Sequence, residues 1–178
     1  MGDPKKQRKK YSTPLRPWES DRINREARLL KDYGLKSKKE VWKTETTLRR
    51  FRGEARALMA ETGEQAEKES SQLIDKLHRL GLVEDNSDVV DVLRLEIEDI
   101  LGRRLQSMVY SKGMADSPSQ ARQMVVHGHI MVGGRCVDEP GYMVSVEEED
   151  QIEFGPNSPF KERYESSETD LATDEVGE

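Results

Sequence analysis

Residues 117–144 read SPSQARQMVVHGHIMVGGRCVDEPGYMV, a short capped helix running straight into a β-hairpin. Ser117 is a strong N-cap residue, Pro118 suits the first helical position, and Gln120 completes a capping box. Ala121, Met124 and Val125 recur at helical spacing and form the inward face, which leaves Arg122 and Gln123 on the outer faces. Gly128 stands where a helix closes in the left-handed conformation. Ile130 and Val132 then alternate with Met131, Gly133-Gly134 supplies a two-residue turn, and Val137 starts the return strand.

Upstream, the spacing predicts a helix from about Ile97 to Lys112. At roughly 100° per residue, Ile97, Ile100, Leu101, Leu105, Met108 and Val109 share one arc. Arg103 lies well outside it and is the better candidate for phosphate. Arg104 falls inside it. A bare buried guanidinium is costly, so Arg104 either pairs with an acid such as Asp99 or Glu98 or meets a polyanion.

The chain has 178 residues, 34% hydrophobic and 36% charged, so part of it is expected to be extended, tail-like or ordered only on a partner. No apolar run nears membrane-spanning length and none follows the basic N-terminus. That points to a cytoplasmic protein without a membrane partner or secretory signal. One cysteine, Cys136, excludes an internal disulfide and any multi-cysteine zinc site; in a strand, a buried inert thiol is its default role.

Charge is strongly blocked. Residues 1–60 carry net +10, 61–101 carry −8, 102–140 carry +2 and 141–178 carry −10, for −6 overall. A pI near 5.3 departs from the usual basic nucleic-acid binder, but binding follows local fields rather than the total. Excess carboxylate also suits a protein adapted to high salt.

Residues 1–17 form a basic arm, with Lys5, Lys6, Arg8, Lys9 and Lys10 among prolines and too little apolar content to fold alone. Ser20 caps a helix to Tyr33 that stops at Gly34, and a Ser37–Glu40 capping box opens a longer one through about Glu61. Val41, Leu48, Phe51, Ala55 and Leu58 make its apolar stripe. Lys38, Lys39, Lys43, Arg49, Arg50, Arg52 and Arg56 coat the remainder. A charged helix face is usually just solvated, but seven cations with few local anions repel one another, which favours phosphate contact. A carboxylate-rich third helix runs from Gly63 to Leu80, and Asp85 to Asp88 makes a turn. Beyond Phe154, glycine and prolines break regular structure and an acidic, disordered tail is expected at 155–178.

Ser119, Ala121-Arg122-Gln123, Val125, His127-Gly128-His129-Ile130, Val132, Gly134, Val137, Pro140, Tyr142 and Val144 together resemble the RNA-binding domain named after the fourth protein of the small ribosomal subunit, the S-four domain. Glu98 to Leu105 looks like its opening helix. DYGLKSKKEVWKTETTLRRFRGEAR, residues 32–56, resembles a block of the archaeal and eukaryotic form of the small-subunit ribosomal protein S-four family. The resemblance implies an α+β fold: an N-terminal helical region at 18–97 that binds rRNA, then an S-four domain at 98–154. In that domain two helices pack on a short, mostly antiparallel sheet between flexible termini. It further implies direct binding to the five-prime domain of small-subunit rRNA early in assembly, ribosomal protein S-five as a neighbour, and a part in decoding accuracy. Ser119, Arg122, Gln123, His127 and His129 carry over as candidate contacts, a donor set that suits phosphate and 2′-hydroxyl groups. The zinc-binding cysteine cluster of some bacterial members is absent.

No metal is expected at His127 and His129, which lack further ligands at zinc-like spacing. Trp18 and Trp42 read as core anchors, with base stacking the lesser alternative. Nucleophile, base and orienter nowhere come together, so neither catalysis, a cofactor nor a small-molecule substrate is expected. The rival class is a ribosome-biogenesis factor that processes pre-rRNA. A stand-alone stress protein would be little more than the S-four domain.

Overall fold

A computed structural model describes residues 9–84, 87–161 and 164. Its helices and one small antiparallel sheet make an α+β protein, the class the sequence predicts. The chain divides into two compact units, Met1–His78 with Leu82–Leu101, and Arg79–Gly81 with Gly102–Glu178.

The first unit is helical. It contains α1 (Ser20–Asp32), α2 (Lys38–Ala60), most of α3 (Glu64–Arg79), a 3-10 turn at Asp91–Leu93, and the start of α4 (Ile97–Gly102). Val41, Leu48, Phe51 and Ala55 on α2 are buried at the predicted spacing, while Leu58 is only half-buried. Leu29, Leu73, Leu77, Val92 and Ile100 complete the core. Glu26 is buried among them, accepts from Trp42 Nε1 at 3.0 Å and from Arg22, and pairs with Lys38 at 3.2 Å. Burial pushes its carboxyl up, but the three donors together outweigh this and hold it below the usual range.

Three expectations are corrected here. The cap of α1 is Glu19 rather than Ser20, because the Glu19 carbonyl already accepts from Ile23 N at 3.1 Å and the helix starts one residue earlier. Ser37 occupies the N-cap position of α2 without a capping bond, and Glu40 Oε1 accepts from Lys36 N at 3.2 Å. Trp18 is no core anchor but 90% exposed, in a turn whose Arg16 and Pro17 carbonyls accept from Arg22 at 3.2 and 2.7 Å. Trp42 is half-buried, tilted against Tyr11 with ring centres 6.1 Å apart.

In the second unit the predicted 97–112 helix is two helices, α4 ending at Gly102 and α5 (Leu105–Ser111). Arg104 between them is extended, with φ −76° and ψ 143°. Leu105 N donates to Tyr142 O at 2.8 Å and Val144 N to Arg103 O at 3.0 Å, so strand-like bonds to residues 142–144 replace helical ones. Glycine at 102 makes the interruption cheap.

Next come α6 (Pro118–Val126), β1 (Ile130–Val132), β2 (Arg135–Cys136), α7 (Val146–Glu149) and β3 (Ile152–Phe154). The sheet order is β2-β1-β3, antiparallel throughout. Gly133 and Gly134 both take positive φ, 56° and 74°, as the tight hairpin turn requires. Ala121, Met124 and Val125 pack with Leu105, Val109, Ile130, Val132, Val144 and Phe154 into one core.

Cys136 is exposed rather than buried. The register sets it opposite Met131, on the face that Ile130 and Val132 do not share. The chain beyond Phe154 also stays folded further than expected. Gly155 N donates to His129 O at 2.8 Å, Phe160 packs on the core, and Tyr164 sits 5.4 Å from the Phe154 ring. Apolar side chains at 160 and 164 outweigh the local glycine and prolines. The rest of the expected acidic tail, part of the Asp85–Asp88 turn, and Lys5, Lys6 and Arg8 of the arm lie outside the described residues.

Candidate nucleic-acid interface

The cations of α2 fall into two stripes flanking its buried face. At roughly 100° per residue, Lys39, Lys43 and Arg50 share one side, while Lys38, Arg49, Arg52 and Arg56 share the other. The fold has already engaged three of these seven. Lys38 pairs with Glu26, Arg52 donates to Leu95 O, and Arg50 lies 3.7 Å from Glu54 and above the Phe51 ring. Lys39, Lys43, Arg49 and Arg56 are exposed, and among the described residues none forms an ion pair. Arg49, Arg52 and Arg56 also line a groove of about 590 Å³ with Arg22, Arg25 and Glu96. Of the basic arm, Lys9 and Lys10 are exposed, Lys9 lying 4.8 Å above the Tyr11 ring.

The second unit presents fewer groups and positions them more tightly. Ser117 Oγ accepts from Gln120 N at 3.2 Å, and Gln120 Oε1 accepts from Asp116 N at 2.8 Å, so both ends of the first turn of α6 are tied. Ser119, Arg122, Gln123 and Val126 then form one outward stripe, three or four residues apart, with His127 exposed at the helix exit. The stripe carries a hydroxyl, a guanidinium and an amide, each a directed donor.

Gln106, which sequence reasoning missed, positions the guanidinium. It is 1% exposed on α5, its Oε1 accepts from Arg122 at 3.3 Å, and its Nε2 donates to Pro118 O at 2.8 Å. The sequence carried no clear signal for it, because on one continuous helix Gln106 falls outside the apolar arc, and only the break between α4 and α5 buries it.

Arg103 and Arg104 stand apart from this stripe. Arg103 donates to Glu149 at 2.6 Å and to Val144 O at 3.2 Å. It packs so closely over Gly81 that a Cβ there would meet its guanidinium carbon at 3.0 Å. Arg104 is 7% exposed, its guanidinium 3.5 Å from where a Cβ on Gly141 would stand. His129 is half-buried with its ring edge-on to Phe160 at 5.3 Å, a packing position.

Two carboxylates of this unit are likewise committed, Glu149 to Arg103 and Glu148 to its neighbours. Glu148 accepts from Ser145 N at 3.0 Å and Tyr142 OH at 2.7 Å. The Ser145 bond and then the Tyr142 bond hold its carboxyl below the usual range, and the pairing raises the Tyr142 hydroxyl. Among the described residues no three His, Cys, Asp or Glu side chains converge as metal ligands, and no helix is long and apolar enough to cross a membrane.

A helix pair on a three-stranded antiparallel sheet, with donors aligned along one helix, defines an S4-domain protein, and residues 103–152 match the S4 domain family. The similarity extends beyond that domain. The small ribosomal subunit protein uS4 of Methanothermobacter thermautotrophicus is 49% identical over 168 residues, covering 94% of this chain and 98% of the relative. That of Methanococcus aeolicus is 47% identical over 175 residues, covering 98% and 99%. The chain belongs to the archaeal type of the small ribosomal subunit protein uS4 family.

Proposed function

We propose that this chain binds small-subunit rRNA directly, through its five-prime domain, early in assembly of the subunit body. The observation that carries this is α2, where Lys39, Lys43, Arg49 and Arg56 stay exposed and form no ion pair among the described residues. Four like charges on one helix cost a few tenths of a kcal/mol per close pair, a cost that a polyanion reverses. Ser119, Arg122, Gln123 and His127 supply directed donors to phosphate and 2′-hydroxyl groups, and an arginine held by Gln106 can grip a phosphate at two points. Lys9, Lys10 and the basic residues before them add an arm. Arg103, Arg104, Lys38, Arg52 and His129 act in this reading as positioning residues, since each already has a structural setting.

In the mature particle the protein is a cytoplasmic structural constituent beside ribosomal protein S-five and contributes to decoding accuracy. Its functional division is an arm at 1–17, an rRNA-binding helical region at 18–97, the S4 domain at 98–154 and an acidic tail at 155–178.

Quantitative mass spectrometry of salt-washed mature small subunits, beside precursor and free fractions, tests this. One copy per mature subunit supports the structural role. Enrichment in precursors with absence from mature particles replaces it with a biogenesis factor.

A further inference from the structure

Among the described residues Trp18 and Leu15 are by far the most exposed large apolar side chains. Tryptophan is highly buried on average, yet here the indole is 90% exposed and Leu15 beside it is fully so. The turn that carries it is held firmly. Arg22 donates to both the Arg16 and Pro17 carbonyls and also pairs with Glu26 in the core of the first unit. Upstream, Ser12 N donates to Thr46 Oγ1 at 3.0 Å and Tyr11 lies against Trp42. The segment is thus tied on both sides of a large flat ring that touches little.

The surroundings say what covers that ring. Residues 4–18 hold Lys5, Lys6, Arg8, Lys9, Lys10 and Arg16 and no carboxylate. The apolar patch is two side chains separated by an arginine and a proline, too small and too cationic for an apolar groove on a protein. A nucleic acid offers both complements at once, phosphates for the cations and a base face for the indole.

We propose that Trp18 is a stacking platform for an unpaired base of the bound RNA, with Arg16, Lys9 and Lys10 holding the adjoining phosphates. This rests on the RNA-binding reading above. Pinning by Arg22 removes the entropy a loose tryptophan would lose on stacking.

The test uses the full chain, a transcript of the small-subunit rRNA five-prime domain, and a fully paired RNA duplex. Trp18→Ala should weaken transcript binding roughly ten- to hundredfold, the range for one lost base–aromatic stack, and leave duplex binding unchanged. Trp18→Phe should retain most of the affinity. The transcript should quench tryptophan emission in the wild type and not in Trp18→Phe, where Trp42 alone reports. Thermal melts of the variants should match the wild type, since the side chain is exposed. Wild-type transcript affinity in Trp18→Ala, with no Trp18-dependent quenching, overturns the stacking proposal and leaves RNA binding intact. Failure of the wild type to bind the transcript overturns both. A blue shift of Trp18 emission only in assembled particles assigns the ring to a protein neighbour and also overturns it.

Discussion

The long helix α2 and the short helix α6 offer donors to a polyanion in opposite ways. On α2 there are many cations, spread over 23 residues, and the fold leaves Lys39, Lys43, Arg49 and Arg56 as exposed point charges. On α6 there are few donors over nine residues, and the fold ties each end of the helix and braces Arg122 from behind with a buried glutamine. In the proposed reading the first is a device of charge number, whose energy would come from counterion release and fade with salt. The second is a device of geometry, in which directed bonds set register and orientation.

The largest expected effect breaks the first device. Lys43→Glu, Arg49→Glu and Arg56→Glu together should lower affinity for the rRNA transcript by at least about a hundredfold, and should reduce the slope of log affinity against log salt by roughly three. Unchanged binding in a filter assay across a salt series would remove α2 from the interface.

A smaller effect sharpens the second device. Gln106→Leu removes one acceptor of Arg122 and the donor to Pro118 O, two buried hydrogen bonds. A loss of about 1–3 kcal/mol in urea denaturation is expected. At temperatures where the variant remains folded it should also bind the transcript more weakly, with the salt slope of the wild type. A changed slope would mean that Arg122 acts as a point charge after all.

Ser117→Ala tests the cap alone and should cost about 1 kcal/mol. Matching stability would show that Gln120 and Pro118 suffice to start α6.

The smallest effect concerns acid. Glu148 is held below its ordinary value near 4.5, so the folded state binds its proton less readily than the unfolded chain. Its contribution is therefore present above about 4.5 and is lost as pH falls through the lower folded value. Glu148→Gln should be less stable than wild type at neutral pH, with the gap closing under acid. Parallel stability curves would show that the cap on α7 contributes nothing. The carboxylate is half-exposed, which keeps the effect small.

Periodicity was a reliable guide to the apolar faces of α2 and α6. Val41, Leu48, Phe51 and Ala55 are buried as spaced, and the capped helix, the paired glycines and the two-strand hairpin appear where the residues require them. The S4-domain resemblance rested on those positions, and the relatives agree with it over nearly the whole chain. The outward stripe of Ser119, Arg122 and Gln123 was legible for the same reason, being what remains once Ala121, Met124 and Val125 turn inward.

What periodicity missed depends on residues far away in the chain. The break at Gly102 to Arg104 exists because residues 142–144 compete for the same backbone groups, which no local window contains. Arg103 became a structural partner because Glu149 came within 2.6 Å of it. Cys136 surfaced through strand register, Trp18 through the grip of Arg22 on the preceding turn, and Phe160 through an apolar surface ready to receive it. By itself the sequence determined which elements form, where the cations lie along them and which family they build, because propensity, capping and amphipathic spacing are local. Tertiary structure decided which of those cations remain exposed, because an arginine's commitment depends on the carboxylate or carbonyl that folding brings to it.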